Sequence, residues 1–248
     1  MKIIPLSEGA FTIDHTKRFV PFDLKADNLQ QRPTGSLLVE VQPFVVITRN
    51  DIILLDTGLG FRDVNGILQI HQNLSDAGIN PLDVTRVIMS HLHKDHAGGI
   101  ASKDLITGAY QLNFPSATYY VQARELQYAL DKGEPSYIPD ELRPLEGTDK
   151  VVLLDGDKGD IAPGIRYWVT GGHSPYHQVL WLEEDGQIVF FGGDDAPQLS
   201  QMKNRFVAKY DYDGKKCMEL RKQWWQEGGD GHWTFLFYHD VKYPTVSL

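Results

Sequence analysis

The sequence is poor in cysteine, in clustered positive charge and in long apolar runs, and each absence excludes a class of protein. The single cysteine, Cys217, leaves no internal disulfide and no cysteine-rich zinc site, so any metal site must use nitrogen and oxygen ligands. A net charge of -9 with scattered Lys and Arg argues against a nucleic-acid partner. No segment is apolar enough to cross a bilayer, and the N-terminal apolar stretch is too short for a signal peptide. We therefore expect a cytoplasmic protein with a small-molecule substrate and no membrane partner.

The chain also lacks an internal linker rich in Pro or Gly. Its 248 residues, 42% of them hydrophobic, are enough to build a sizeable core. We therefore expect one domain over residues 1–248.

What the chain does contain is a dense group of metal-binding side chains between His91 and His96, with the sequence HLHKDH. Neutral imidazole and ionised carboxylate are the ligands that zinc and similar divalent ions bind. The apolar stretch 87–89 before this run is typical of a buried strand, and the stretch 97–99 after it is typical of a loop. In a tight loop the first two imidazoles can reach one ion while the aspartate and the last imidazole reach a second. A solvated His-rich loop is the alternative, but nothing else in the chain is His-rich, which favours a metal centre.

With this run the chain resembles the metallo-β-lactamase superfamily, whose signature is His-x-His-x-Asp-His after a buried strand. The resemblance extends over most of the chain, with four further segments in the family's order. They are IILLDTG at 52–58, TGGHSPYH at 170–177, IVFFGGD at 188–194 and FLFYHD at 235–240. Five such segments in register are more specific than any one of them.

The resemblance implies a site for two divalent metal ions, most simply zinc, with manganese, iron or cobalt as alternatives. Asp56 is implied to support the metal loop without binding metal, and His177 is expected to form a hydrogen bond within its loop. Asp194 is implied to bridge the ions, with the adjacent Asp195 as the rival for that role. The implied ligands are His91, His93 and His173 for the first ion, Asp95, His96 and His239 for the second, and Asp194 for both.

Within the superfamily the chain most resembles the branch that contains quorum-quenching lactonases and organophosphate hydrolases. The resemblance implies a hydrolase in which a hydroxide bridging the two ions attacks a lactone, ester or phosphoester. Asp95 and Asp194 are the implied catalytic carboxylates. Two alternatives stay open: a dioxygenase of the persulfide dioxygenase type with one iron, and a thioesterase similar to glyoxalase II.

The chain departs from that branch around the expected substrate site. Pro197 stands three residues after the bridging aspartate, where such lactonases carry a tyrosine that assists the substrate carbonyl. Tyr176 replaces a usual glycine, so its ring either projects toward the pocket or changes the turn. The segment Gln198 to Asp213 lies close after the bridging aspartate and is expected to contribute pocket residues. The candidates there are Met202, Phe206 and Tyr210.

Strand-like and helix-like segments alternate in two halves. With the resemblance, this order implies a mixed α/β fold, the four-layer αββα sandwich of two mixed β-sheets with helices outside. The segments Asp14 to Gly35 and Asp131 to Asp149 are expected to be long surface loops, either lids or plain excursions. Aromatic residues in the first segment, such as Phe19, are compatible with burial in a homodimer. Predicted strands are 37–41, 44–48, 52–55, 118–121, 151–154, 165–169, 178–182 and 188–191, with a hairpin turn at 185–186 and helices at about 67–77, 123–131 and 215–227. The resemblance also implies that 235–240 is the last strand and carries His239.

Overall fold

The computed structural model describes all 248 residues and is built around two six-stranded β-sheets. Strands and helices are numbered in chain order. From edge to edge, the first sheet contains β1 (Lys2–Pro5), β5 (Phe44–Ile47), β6 (Ile52–Leu55), β7 (Arg86–Ile88), β10 (Thr118–Gln122) and β11 (Val151–Leu154). The second contains β12 (Lys158–Ala162), β13 (Ile165–Val169), β14 (Gln178–Glu184), β15 (Gln187–Phe191), β16 (Thr234–Leu236) and β17 (Thr245–Ser247).

Two smaller sheets and six helices surround this pair. One small sheet has the order β3 (Val20–Pro21), β2 (Gly9–Ile13), β4 (Leu37–Val41), and the other pairs β8 (Ala101–Lys103) with β9 (Tyr110–Leu112). The helices are α1 (Gln69–Asp76), α2 (Lys94–Ala97), α3 (Ala123–Lys132), α4 (Pro139–Leu142), α5 (Leu199–Lys203) and α6 (Gly214–Asp230). No helix combines the length and the apolar character that crossing a membrane requires.

Apolar side chains from both large sheets meet in the layer between them. Val46 and Ile53 of the first sheet and Leu180 and Val189 of the second are at most 2% exposed and belong to one cluster. Burying apolar surface contributes about 25 cal/mol per Å², so this layer is a main source of stability.

Helices cover the outer face of each large sheet. Leu74 of α1 and Leu126 of α3 pack in one cluster with Leu54 of the first sheet. On the other side the Trp224 ring of α6 lies 4.9 Å from the Phe190 ring of the second sheet. The order is helix, sheet, sheet, helix, which confirms the predicted αββα sandwich.

Strand direction brings several loops to the same edge of the sandwich. In the first sheet β6 and β7 are parallel, and in the second β15 and β16 are parallel while β13 runs in the same direction as β15. The two edges are joined where the backbone N–H of Gln178 donates to the carbonyl of Ser90 at 2.9 Å. The loops that follow these five strands therefore meet at one place.

Two local predictions differ from the structure near this edge. The HLHKDH run is a loop only at its start, because Lys94–Ala97 forms the short helix α2. The predicted last strand carrying His239 is also wrong, since β16 ends at Leu236 and His239 lies in the turn before β17. The Asp240 carboxylate accepts from two backbone N–H groups, of residues 242 and 243, which closes that turn.

Candidate metal centre and cavity

Three imidazoles from two loops converge on one point. Nε2 of His91 and Nε2 of His173 each lie 3.0 Å from Nδ1 of His93. A fourth donor atom, Oδ2 of Asp194, lies 3.1 Å from Nε2 of His173. Donor atoms bound to one zinc ion at about 2.0 to 2.2 Å lie roughly 3.3 Å from one another. These four side chains could therefore hold one tetrahedral ion.

A second group of donors lies beside the first. Nε2 of His239 and Nε2 of His96 are 3.4 and 3.8 Å from Oδ2 of Asp95. The same two nitrogens lie 3.0 and 3.1 Å from Oδ1 of Asp194. This arrangement could hold a second ion.

The carboxylate of Asp194 faces both groups, with one oxygen directed at each. Its Oδ1 and the Nε2 of His96 are both buried and have no hydrogen-bond partner. Buried polar atoms without a partner are costly, and a cation between them would satisfy both. The donor set therefore fits two divalent ions that share this carboxylate.

Burial and local charge divide the histidines. Burial, followed by the neighbouring imidazoles, holds the pKa of His91 and of His93 well below the usual range, so both rings are neutral, as metal ligation requires. Burial also lowers the pKa of His96, but the carboxylates of Asp194 and Asp95 outweigh it and raise that pKa well above its usual value. Burial also lowers the pKa of His173 and of His239, but Asp194 and neighbouring groups outweigh it and raise both pKa values. Positive charge is therefore favoured on both sides of Asp194.

Asp195, although adjacent to Asp194, points away from both groups. It accepts hydrogen bonds from the hydroxyl of Thr170 and, at 2.7 Å, from the backbone N–H of His173. Its Oδ2 lies 3.1 Å from Nδ1 of His177, whose Nε2 accepts from the backbone N–H of Asp194 at 3.1 Å. Asp195 and His177 thus fasten the loop that carries His173.

Asp56 lies beneath the HLHKDH run, with its backbone at a positive φ of 57° that few residues other than glycine adopt. Its carboxylate accepts from the N–H and the hydroxyl of Ser90 at 2.7 and 2.6 Å. The same carboxylate lies 2.7 Å from Nδ1 of His96. This contact fixes the ring so that Nε2 faces the donor group.

Two further groups orient histidines and are not among the residues predicted from the sequence. Oδ1 of Asp211 lies 2.8 Å from Nδ1 of His173, and the backbone carbonyl of Glu40 lies 2.6 Å from Nδ1 of His239. A carboxylate in the predicted pocket segment was an available signal for Asp211. No signal exists for Glu40, because every residue has a carbonyl.

The Tyr238 ring lies between the donor groups and the core. It stacks on the ring of His96 with centroids 3.9 Å apart, and its hydroxyl donates to the carbonyl of Asp95 at 2.7 Å. One buried side chain therefore positions two of the donor residues of the second group.

Backbone contacts hold residues 57–60 directly against the HLHKDH run. The N–H of Thr57 donates to the carbonyl of His96 at 2.7 Å. A Cβ atom at Gly60 would overlap the carbonyl of Gly98, and one at Gly98 would overlap the carbonyl of Leu59. We call this contact the glycine junction, because it has no space for a side chain.

A cavity of about 670 Å³ opens onto both donor groups, a size typical of small-molecule sites. Of the predicted pocket residues, Phe206 and Tyr210 line it, and the Tyr210 ring lies 6.0 Å from that of His173. The donor residues that line it are His93, Asp95, His173, Asp194 and His239.

Two other candidates lie elsewhere. Met202 is only 5% exposed and packs in the cluster of Trp224, because α5 turns this side chain toward α6. The ring of Tyr176 lies 5.1 Å beneath the guanidinium of Arg124 and near Tyr128 on α3, so it does not project into the cavity.

The segment from Asp14 to Gly35 is more than a plain surface excursion. Its residues Asp14, Lys17 and Phe19 line the cavity, and β3 within it pairs with β2. The segment 131–149 contributes Ser136 to the lining. Both segments therefore form part of the cavity wall together with residues 198–213.

Comparison with known proteins gives a family match and a relative. The profile of the metallo-beta-lactamase superfamily matches residues 38–235. The N-acyl homoserine lactonase AiiA of Bacillus thuringiensis subsp. kurstaki is 30% identical over 182 residues, which are 66% of this chain and 66% of that protein. The match thus spans slightly less than two thirds of the relative's length.

Solved structures show the same fold. A probable metal-dependent hydrolase from Staphylococcus aureus superposes with a TM-score of 0.80 at 23% identity, covering 99% of this chain and 91% of that one. AidC, a dizinc quorum-quenching lactonase, superposes with a TM-score of 0.73 at 19% identity, covering 98% and 88%.

Proposed function

The chain belongs to the metallo-beta-lactamase superfamily, and from this premise we propose that it is a metal-dependent hydrolase of lactones and related esters. The observation that carries the proposal is the position of Asp194, which faces two donor groups at the floor of one cavity. Two zinc ions are the proposed cofactors. Their proposed ligands are His91, His93 and His173 at one ion, Asp95, His96 and His239 at the other, and Asp194 at both.

Two divalent ions, when bound, supply a water of lowered pKa as nucleophile and a Lewis acid for the substrate's carbonyl oxygen. The residues of the chain determine where this chemistry occurs. Asp194 sets the separation of the two donor groups, and its negative charge offsets the repulsion between two cations. Asp56 and Asp211 hold the rings of His96 and His173 in fixed orientations, so the donor atoms are in place before substrate enters.

We assign to Tyr210 the contact with the substrate's carbonyl or leaving oxygen, a role that Pro197 cannot take. Tyr210 lines the cavity next to His173. Tyr210 is 42% exposed, and its partial burial, followed by the charges of Asp211 and Asp194, raises the pKa of its hydroxyl, which therefore stays protonated and can donate a hydrogen bond.

Lactones are the proposed substrate class for two reasons. The relative with 30% identity is an N-acyl homoserine lactonase. The cavity also combines the donor groups with an apolar wall that includes Ile13, Phe19 and Val39, which suits a ring with an alkyl arm.

The deciding experiment is elemental analysis of protein purified without chelator, combined with an assay of lactone opening by proton release. We expect about two zinc ions per chain, roughly one in His239→Ala, and a loss of activity of at least about a hundredfold in that variant. The control is His232→Asn, which removes an exposed imidazole outside the site. One iron per chain that is unaffected by His239→Ala, with no lactone opening, would refute the proposal.

A further inference from the structure

The cavity wall carries four cationic side chains, Lys17, Lys94, Arg205 and Lys209. The first two are half-buried and the last two are exposed. They are notable because the chain as a whole has a net charge of -9. Positive charge is therefore concentrated at the cavity against the overall balance.

These four cations have no partners within the protein. None takes part in an ion pair, and none donates a side-chain hydrogen bond. Arginines elsewhere do pair: Arg49 with Asp185, Arg86 with Asp51 and Arg124 with Asp157. The cavity cations are free to meet a ligand.

Carboxylates on the cavity wall do not neutralise them. Apart from Asp95 and Asp194 of the donor groups, the only carboxylate on the wall is that of Asp14. Asp14 is engaged in its own turn, where it accepts from the N–H and the hydroxyl of Thr16 at 2.8 and 2.6 Å.

The cations come from different segments of the chain. Lys17 lies in the connection between β2 and β3, whereas Arg205 and Lys209 lie between α5 and α6. Apolar side chains, including Phe19 and Leu37, line the same cavity. A ligand with an apolar arm and a negatively charged end matches this combination.

We propose that the preferred substrate is a lactone or ester with an alkyl arm that ends in an oxyanion, a carboxylate or a phosphate. This inference rests on the proposed function and specifies its substrate class. Hydrolysis adds one water, breaks the acyl C–O bond and yields a hydroxyl group, a new carboxylate and one proton. That new carboxylate forms at the donor groups, so the wall cations serve a second oxyanion that the substrate already carries.

The test uses two γ-lactones with alkyl arms of equal length, one ending in a carboxylate and the other in the neutral, nearly isosteric carboxamide. We expect kcat/KM to be about tenfold higher for the carboxylate at low salt, with the ratio falling as salt is added. The triple variant Lys17→Gln, Arg205→Gln, Lys209→Gln is expected to bring the ratio close to one. The control triple variant Lys150→Gln, Lys158→Gln, Lys222→Gln, which removes three positive charges at exposed positions outside the cavity, is expected to keep the wild-type ratio.

A second measurement separates this inference from the proposed function. Calorimetry on the metal-loaded protein compares binding of the two ring-opened hydroxy acids, which differ only at the far end of the arm. If neither lactone is hydrolysed but the carboxylate arm still binds more tightly and loses that advantage in the triple variant, the oxyanion site stands and the hydrolase proposal fails. Equal kcat/KM and equal binding of the two arms would overturn the oxyanion inference while leaving the hydrolase intact.

Discussion

Two parts of the cavity are built in opposite ways: the floor, formed by the two donor groups, and the mouth, formed by the segments 14–35 and 198–213. At the floor, buried side chains follow strand ends, and most histidines have a named partner on the ring nitrogen that faces away from the donor groups, as His96 has in Asp56. At the mouth, half-buried and exposed side chains come from irregular segments, and cations such as Lys209 have no partner at all. The difference teaches that the strands of the sandwich fix the donor groups, while the cationic part of the wall comes from segments that the sheets constrain less.

The largest effect on activity is expected from replacing Asp194, which lies between the two donor groups at the floor of the cavity. Asp194→Asn leaves one carbonyl oxygen where two charged oxygens face the donor groups, so one ion loses its shared ligand. We expect kcat to fall by about a thousandfold, on the order of several kcal/mol, and the zinc content to fall toward one per chain. Steady-state kinetics and elemental analysis measure both, with the exposed Asp230→Asn as control. Full activity in Asp194→Asn would disprove the shared-ligand role.

The second effect concerns the stability of the folded protein, which depends on the buried carboxyl group of Glu8 beneath the floor. Glu8 is 6% exposed, its Oε2 accepts from the N–H of Leu59 at 2.7 Å, and its Oε1 has no partner. Burial raises the pKa of Glu8 from 4.5 to about 7, against the hydrogen bond from Leu59. Between these pH values the folded state holds a proton that the unfolded state releases. The free energy of unfolding therefore falls by about 3 kcal/mol as pH rises from 4.5 to above 7.

Glu8→Gln removes this titration and should flatten that part of the pH dependence. Urea unfolding of the metal-free protein at pH 5 and pH 8 measures it, and the variant is expected to be more stable than wild type at pH 8. The exposed Glu219→Gln serves as control and should keep the wild-type dependence. An unchanged slope in Glu8→Gln would mean that the buried carboxyl is not the group responsible.

A smaller effect is expected where floor and mouth meet. Asp211 comes from the mouth segment but lies 2.8 Å from the Nδ1 of His173. Asp211→Asn keeps the shape and removes the charge, so we expect zinc affinity to fall by about tenfold to a hundredfold. Competition with a metal-binding dye measures the affinity, with Asp131→Asn as an exposed control. If affinity stays the same while KM rises, Asp211 belongs to the mouth and not to the metal centre.

The smallest effect is expected at Tyr210. Replacing it with Phe removes the hydroxyl and keeps the ring, so kcat should fall by about tenfold while zinc content stays at the wild-type level. Tyr212→Phe, an exposed neighbour, is the matched control. A rise in KM alone would assign Tyr210 to holding the substrate, without a role in the reaction.

The same contrast decides how much the sequence could predict. The HLHKDH run predicts a metal centre, because metal ions demand particular atoms at short spacing. The four-layer sandwich is implied by the family resemblance together with the segment order, and the structure confirms it. His173, Asp194 and His239 are distant in sequence, and only the family resemblance brought them into the same prediction.

Which side chains line the mouth could not be predicted from the sequence, for a physical reason. Met202, Phe206 and Tyr210 share one segment, but Met202 lies in α5 and faces α6, whereas Phe206 and Tyr210 lie after α5 and line the cavity. The local sequence pattern does not reveal this difference. The cationic wall joins Lys17 to Lys209 through packing of segments far apart in the chain. The strand-like composition of Phe235 to Tyr238 favours a terminal strand that reaches His239, whereas the turn found there depends on a single carboxylate, Asp240.

The glycine junction has a consequence for how the sequence of this protein could change in evolution. Residues 57–60 touch the HLHKDH run and the following Gly98 through main-chain atoms and one side-chain contact, in which the hydroxyl of Thr57 donates to the carbonyl of His96 at 3.0 Å. Apart from that contact, no rotamer change can alter their spacing gradually. Any added side chain at Gly60 or Gly98 displaces the whole metal loop at once. New substrate preferences are therefore expected to arise by replacement of mouth residues such as Arg205 and Phe206. The metal loop itself cannot shift by small steps.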